Sequence, residues 1–531
     1  MNLIDASEAR KRLHAPGEIA FLDLREAGQF GESHPIFAVP APYSRLELII
    51  GGLVPRLDAP LLLVDAGDGV AERGARRLKA LGYTDLSIVD GGIPAWEGAG
   101  FPLYKGVNVP SKTLGELAEE VWHPPMITPE ELARWKDEGR SFTFYDTRPP
   151  AEYAKMRVPG AQCLPNGELA HRLDAIPDDG PVVITCAGRT RGIIGAVGMQ
   201  LLGAGDRVRA LENGTQGWAL AGQALERDNE AGPYPALTPE AQAASRDRAR
   251  ALMARYDIPE IAPADIVSML EQPGRTTHVF DVRSQEEAEA DPVPVAIHAL
   301  GGQLVQSTDQ WVGTRRSRIV LCCDTGLRAA LAAFWLRQLG YEVLVAPIEA
   351  DLRALPARRI VKPAADCGGA DMIPARRALK RLREGARLID LRPSQAFRAG
   401  HVAGAVWGVR PRLGRVAARI GATREAILVA DTPEMAQVAA LDLREAGVRR
   451  IAIIAGGHEA LVREGAAIEA SPSSPPDKDA IDFLFFVHDR HDGNLESSRR
   501  YLAWETGLVK QLDAAERGEY RLIGPKDGAA V

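Results

Sequence analysis

One pattern constrains this chain more than any other. A short apolar strand closing on Asp-x-Arg occurs four times, at Asp23-Leu24-Arg25, Asp146-Thr147-Arg148, Asp281-Val282-Arg283 and Asp390-Leu391-Arg392. A second apolar strand follows each, ending at Asp65, Cys186, Cys323 and Ala430, which lie 42, 40, 42 and 40 residues beyond the four aspartates. From each of those positions the chain runs 17 residues through a helical pattern to a glycine: Gly82, Gly203, Gly340 and Gly447. Leu331, Phe334, Trp335 and Leu336 show the helical period, and glycine suits a helix C-terminus that needs positive φ. Another apolar strand comes next, as in Ser87-Ile88-Val89 and Ile451-Ala452-Ile453-Ile454. Self-similarity in one internal register marks four copies of one unit.

Strands alternating with helices join through right-handed β-α-β crossovers into a parallel sheet covered on both faces. The predicted fold class is therefore α/β, with four tandem small doubly wound domains at residues 1–106, 122–225, 258–350 and 368–470. A chain of 531 residues is too long for one core in any case. The first unit ends Gly91-Gly92-Ile93-Pro94-Ala95-Trp96 and the second Asn213-Gly214-Thr215-Gln216-Gly217-Trp218. The fourth keeps Gly456-Gly457 but has Leu461 in place of the tryptophan, and the third lacks this ending. Residues 471–531 read as a linker, Pro- and Ser-rich at its start, and a docking tail made apolar by Phe483, Phe485, Phe486, Tyr501, Leu502, Trp504 and Leu508.

The net charge of −7 comes from intermixed acids and bases. Pairs such as Lys11-Arg12 and Arg449-Arg450 read as solvated surface, so no nucleic-acid partner is expected. No apolar run approaches the roughly 18 residues of a membrane span, so no membrane partner is expected either. Five cysteines, an odd number in no regular framework, argue for reduced thiols and a cytoplasmic location. The oligomeric state stays open.

The chemistry concentrates in two loops. Cys186-Ala187-Gly188-Arg189-Thr190-Arg191 and Cys323-Asp324-Thr325-Gly326-Leu327-Arg328 each read cysteine, four residues, arginine. A thiol at the carboxyl end of a parallel strand, opening the next helix, meets unpaired amides and the positive end of the helix dipole. Its pKa is expected to fall. The same amides could surround a sulfur bound to the cysteine, while Arg191 or Arg328 attracts an anionic donor. Cys186 and Cys323 are the candidate nucleophiles. The substrate-binding candidates are Ala187, Gly188, Arg189, Thr190 and Arg191 in one loop, and Asp324, Thr325, Gly326, Leu327 and Arg328 in the other. Strand alternation turns Cys322 away from Cys323 into the core. Cys163 and Cys367 read as bystanders, and Asp146, Arg148, Asp281 and Arg283 as braces of neighbouring loops.

The repeated Asp-x-Arg strand, the Cys-x4-Arg loop and the Gly-Gly…Trp ending together resemble the rhodanese homology domain over about residues 1–470. The resemblance implies sulfane-sulfur transfer through a cysteine persulfide, without metal or organic cofactor. It implies as partners a small-molecule sulfur donor, such as thiosulfate, and a thiol or cyanide-like acceptor. The order of domains would be inactive, active, active, inactive, since Asp65 and Ala430 stand where the thiol should be. Asp65 and Asp431 read as surface-loop acids. His401, in Gly400-His401-Val402-Ala403-Gly404-Ala405, resembles a family turn in which histidine packs. The competing chemistry is that of a cysteine phosphatase or arsenate reductase of the same fold, whose pattern has five residues between Cys and Arg against four here. A non-catalytic redox-sensing scaffold is the other alternative, credible for the outer domains.

Overall fold

The computed structural model describes residues 2–177, 180–421, 425–488 and 494–526. Each repeat builds one parallel sheet. In the first the strands run in the order Asn2–Ile4, Leu86–Val89, Leu61–Val64, Ala20–Asp23, Val39–Pro40. The second and fourth repeats copy that order, with Val182–Thr185 and Ala426–Val429 at the centre. The central strands are apolar and buried along their length, as a parallel sheet covered on both faces requires. The third repeat departs from the pattern. Its sheet has four strands, Ile297–His298, Thr277–Asp281, Arg318–Cys323 and Glu342–Pro347, and a single bridge from Glu260 to Val345 stands where the other sheets have an edge strand.

The Asp-x-Arg motif does the same work four times. Each arginine folds back onto its own aspartate in a forked ion pair. One terminal nitrogen also donates to the carbonyl eight residues further on, of Ser33, Met156, Asp291 and Gly400 in turn. The aspartates are 0–3% exposed, and a carboxylate so buried is tolerable only with its charge paired and its oxygens filled. The bracing role expected of Asp146, Arg148, Asp281 and Arg283 is this one. The four helix-ending glycines all hold positive φ, between 77° and 101°.

The repeats sort into two compact units that sequence order does not suggest. One contains residues 2–13, Ala20–Val107 and Ile360–Phe485, hence the first and fourth repeats. The other contains His14–Ile19, Asn108–Arg359 and residues 486–526, hence the second and third. Within the first unit, buried Arg410 joins the two repeats by donating to both carboxylate oxygens of Glu47 at 2.5 and 2.6 Å and to Asp442 at 2.5 Å. The tail runs in two stretches. Ile481 accepts a hydrogen bond from Gly28 in the first unit, while Tyr501, Leu502 and Leu508 are buried in the second. Among the described residues no helix is long and apolar enough to cross a membrane.

Candidate functional site

Strand Val182–Thr185 delivers Cys186 to the carboxyl edge of its sheet, and the chain turns at once into helix Thr190–Leu201. The neighbouring junction fixes that turn. Asn213 and Gly214 hold φ of 58° and 56°, and the Thr215 amide donates to the Cys186 carbonyl at 2.8 Å. A β-carbon on Gly214 would lie 2.2 Å from that carbonyl oxygen. Only glycine lets the backbone approach so closely in this conformation. Gly214→Ala is therefore expected to displace the loop and cost about 1–3 kcal/mol. Thermal unfolding, read beside labelling of the Cys186 thiol, would measure both effects.

Cys186 is 2% exposed and Cys323 fully buried. That dryness corrects the expected lowering of their pKa values. Burial pushes the Cys186 thiol up, outweighing the Arg191 charge and the amides of Gly192 and Gly188, which pull it down. Burial likewise raises Cys323, against the pull of Arg328 and with a further push from Asp324. The loop amides favour a thiolate, but desolvation sets the net direction.

The loop arginines require a second correction. Neither holds out an open fork to an anion. Arg191 gives Nη1 to Glu152 Oε1 at 2.7 Å and to Gln303 Oε1 at 2.9 Å, and Nη2 to Glu152 Oε2 at 2.8 Å. Arg328 gives Nη1 to Glu168 at 2.8 Å and to Glu287, and Nη2 to Asp324 at 2.6 Å. The two clamps are equivalent. Glu152 and Glu287 stand six residues after Asp146 and Asp281, and Glu168 and Gln303 stand 22 after the same aspartates. Each arginine is thus held by a glutamate of its own repeat and by one residue of the other. Sequence reasoning missed all four partners. The signal was there, because the thiol-less repeats have Gln29 and Ala396 at the first of these positions and no arginine closing the loop.

The remaining loop residues divide by environment. Ala187 offers its carbonyl to Gln216 Nε2 at 3.0 Å. Arg189 pairs with Glu116 at 2.7 Å and with Glu119. Burial pushes the Glu116 carboxyl up to about 7 despite Arg189. Thr190 Oγ1 donates to Glu505 Oε1 at 3.0 Å, and the other oxygen of Glu505 lies 3.1 Å from where a Gly188 β-carbon would stand.

In the third repeat Asp324 occupies its own loop. Its Oδ1 accepts from the Thr325 amide at 2.9 Å, from Arg328 Nη2 at 2.6 Å and from the Cys323 thiol at 3.3 Å. Thr325 Oγ1 is within 3.2 Å of His171 Nδ1, Gly326 takes φ of 80° to open the helix, and Leu327 is core. His171, Glu287 and Asp324 bring possible ligand atoms within 4.8 Å of one another, but the guanidinium of Arg328 already bridges the two carboxylates.

The thiol-less loops differ from each other. Asp65 is 3% exposed, not the surface acid expected. Its carboxylate accepts from the amides of Gly67 and Ala71 at 2.8 Å each and so fills its cradle. Asp431 is exposed beside Ala430. Cys322 is buried on the strand, and burial pushes Cys163 up to about 12. Cys367 is half-buried. His401 packs as expected, stacked 3.7 Å from Phe397.

Four parallel sheets, each presenting one loop from the end of its central strand to a helix, define a repeated α/β protein in which two of the four loops open on a cysteine. The model of the rhodanese-like domain matches residues 5–99, 128–221, 262–349 and 375–464, and the chain belongs to that family. The crystal structure of a thiosulfate sulfurtransferase from Pseudomonas aeruginosa is similar over 99% of this chain and 100% of its own, at 35% identity and a TM-score of 0.90. A curated thiosulfate sulfurtransferase of Pseudomonas aeruginosa is 29% identical over 178 residues, which are 30% of this chain and 64% of that one. The probable adenylyltransferase/sulfurtransferase MoeZ of Mycobacterium tuberculosis is 32% identical over 95 residues, 18% of this chain and 24% of its own length. The chain thus spans between about a quarter and two thirds of these curated relatives.

Proposed function

We propose that the chain is a sulfurtransferase that moves sulfane sulfur through a persulfide on Cys186. The observation that carries this reading is a thiol at the mouth of a 12-residue helix, facing the amides of Gly188 and Gly192, in a chain of the rhodanese-like family. In the first half-reaction the Cys186 thiolate attacks the outer sulfur of a donor. An Sγ–S bond forms, the donor's own bond to that sulfur breaks, and the leaving group takes the electron pair. In the second, a thiol or cyanide-like acceptor attacks the outer sulfur and the Cys186 thiolate departs. The loop amides stabilise negative charge on the terminal sulfur. Cys323 is the second candidate nucleophile, in a loop where the Asp324 carboxylate already lies. The first and fourth repeats have no nucleophile and serve as scaffold. Five unpaired cysteines fit a reducing compartment such as the cytoplasm.

Mass spectrometry of the full chain after exposure to sulfane donors tests the reading. One added sulfur is expected on the Cys186 peptide, discharged by cyanide and lost in Cys186→Ser. Sulfur found only on Cys163 or Cys367 would overturn it.

A further inference from the structure

The tail helix Leu495–Thr506 lies over the Cys186 loop. It is anchored there by Tyr501 and Trp504, whose ring centroids are 5.0 Å apart, with the ammonium of Lys112 about 5 Å from each ring. The helix brings Glu505, 2% exposed, to the loop. Glu505 Oε1 is taken by Thr190, but Oε2 is buried and has no hydrogen-bond partner among the described residues. On the same side of Gly188 stands Gln216, 7% exposed. Its Nε2 donates to the Ala187 carbonyl, which fixes the orientation of the amide and leaves Oε1 buried and likewise without a partner among the described residues. Two buried acceptors therefore wait at the loop, while Arg189 and Arg191 are already paired with Glu116, Glu119 and Glu152. A dianion brought here meets the carboxylate of Glu505. A partner carrying S–H or N–H can donate to one of these acceptors, which have no donor among the described residues.

We propose that Glu505 determines the donor class of the Cys186 site, favouring hydropersulfides, R–S–SH, over dianions such as thiosulfate. This rests on the sulfurtransferase reading of Cys186. In the step it describes, the Cys186 thiolate attacks the outer sulfur of R–S–SH. The Sγ–S bond forms, the S–S bond between that sulfur and the inner sulfur breaks, and RS⁻ leaves with the electron pair. The hydrogen stays on the transferred sulfur and is held by Glu505 Oε2 or Gln216 Oε1. Glu505 orients and selects the donor while Cys186 performs the substitution.

The test measures the rate of sulfur addition to the Cys186 peptide in the full chain, with thiosulfate and with neutral 2-hydroxyethyl hydropersulfide as probes. Glu505→Gln keeps an oxygen for Thr190 and removes the charge. It should raise the thiosulfate rate about tenfold or more and lower the hydropersulfide rate several-fold. Thr190→Val loosens the helix while keeping its charge, and should move both rates in the same direction. If Glu505→Gln also moves both rates alike, or moves neither, Glu505 only docks the helix and the proposal falls. If Cys186 takes sulfur from neither probe in the unaltered chain, the sulfurtransferase reading itself falls.

Discussion

Replacing Arg328 by leucine should lower the stability of the unit holding the second and third repeats by about 3–5 kcal/mol, although leucine suits the buried position. The Arg328 side chain is fully buried, and so is that of its partner Glu168. With Arg172, it is one of two arginines balancing Glu168, Glu287 and Asp324. Removing it leaves three carboxylates, of which Glu168 is fully buried and Glu287 and Asp324 are about a third exposed, around one arginine. The pH dependence separates charge from shape. Burial pushes Asp324 and Glu287 up, but Arg328 holds both below the usual carboxylate range. Their contribution is therefore present above about pH 4 and is lost as pH falls through the lowered folded values. In Arg328→Leu burial loses its largest opponent, the folded values should rise above the unfolded ones, and the carboxylates should become destabilising as pH rises. The gap between the two proteins should widen from pH 4 to pH 7 in urea unfolding. A gap that does not change with pH would mean that the arginine acts through its bulk. Arg328→Lys should fall between, since one ammonium cannot fork to three acids. Arg191→Leu should cost less, because Arg191 balances only Glu152, whose side chain is 36% exposed.

The fold was legible because its signal is periodic. Strands ending on Asp23, Asp146, Asp281 and Asp390 and helices ending before Gly82, Gly203, Gly340 and Gly447 repeat at fixed spacing, and the Asp-x-Arg ion pair is closed within three residues. The pairing of first with fourth repeat was not legible. It depends on contacts such as Arg410 to Glu47, 363 residues apart, which a local period does not record. The cysteine loops were legible for the same reason as the fold, since they occupy equal positions in the repeat. Their electrostatics were not. Helix amides can be read from a sequence, but the dryness that raises both thiols depends on packing against another repeat and the tail. The clamps on Arg191 and Arg328 lie between these cases. Glu152 and Glu287 could have been found by counting six residues from each strand aspartate, and their absence from the thiol-less repeats pairs them with the loop arginine. Glu505 had no such signal, for it lies outside the repeats on a helix without a counterpart.

Asp324→Ala should make Cys323 reactive towards anionic sulfur donors, raising its rate of sulfur uptake from thiosulfate by about tenfold to a thousandfold. The Thr325 amide, Arg328 Nη2 and the Cys323 thiol all converge on Asp324 Oδ1. That oxygen stands where a donor's anionic group or a terminal sulfur would find its hydrogen bonds, so the loop carries its own occupant. Asp65 fills the cradle of the first repeat in a related way, through the amides of Gly67 and Ala71. Removing the Asp324 carboxylate frees these donors and takes away one of the charges that push the Cys323 thiol up, so the thiolate fraction should rise as well. Arg328 would keep Glu168 and Glu287, which should leave the clamp between the repeats in place. Asp324→Asn removes the charge but leaves an oxygen in position, so it should give a smaller gain. The converse substitution is Ala187→Asp, which puts a carboxylate at the equivalent place beside Cys186 and should depress its sulfur uptake from charged and neutral donors alike. Peptide-resolved mass spectrometry follows both cysteines in one experiment. If Cys323 stays unreactive in Asp324→Ala while Ala187→Asp silences Cys186, then a carboxylate at this position blocks a loop that is otherwise open, and the third loop is closed by the complete burial of its thiol.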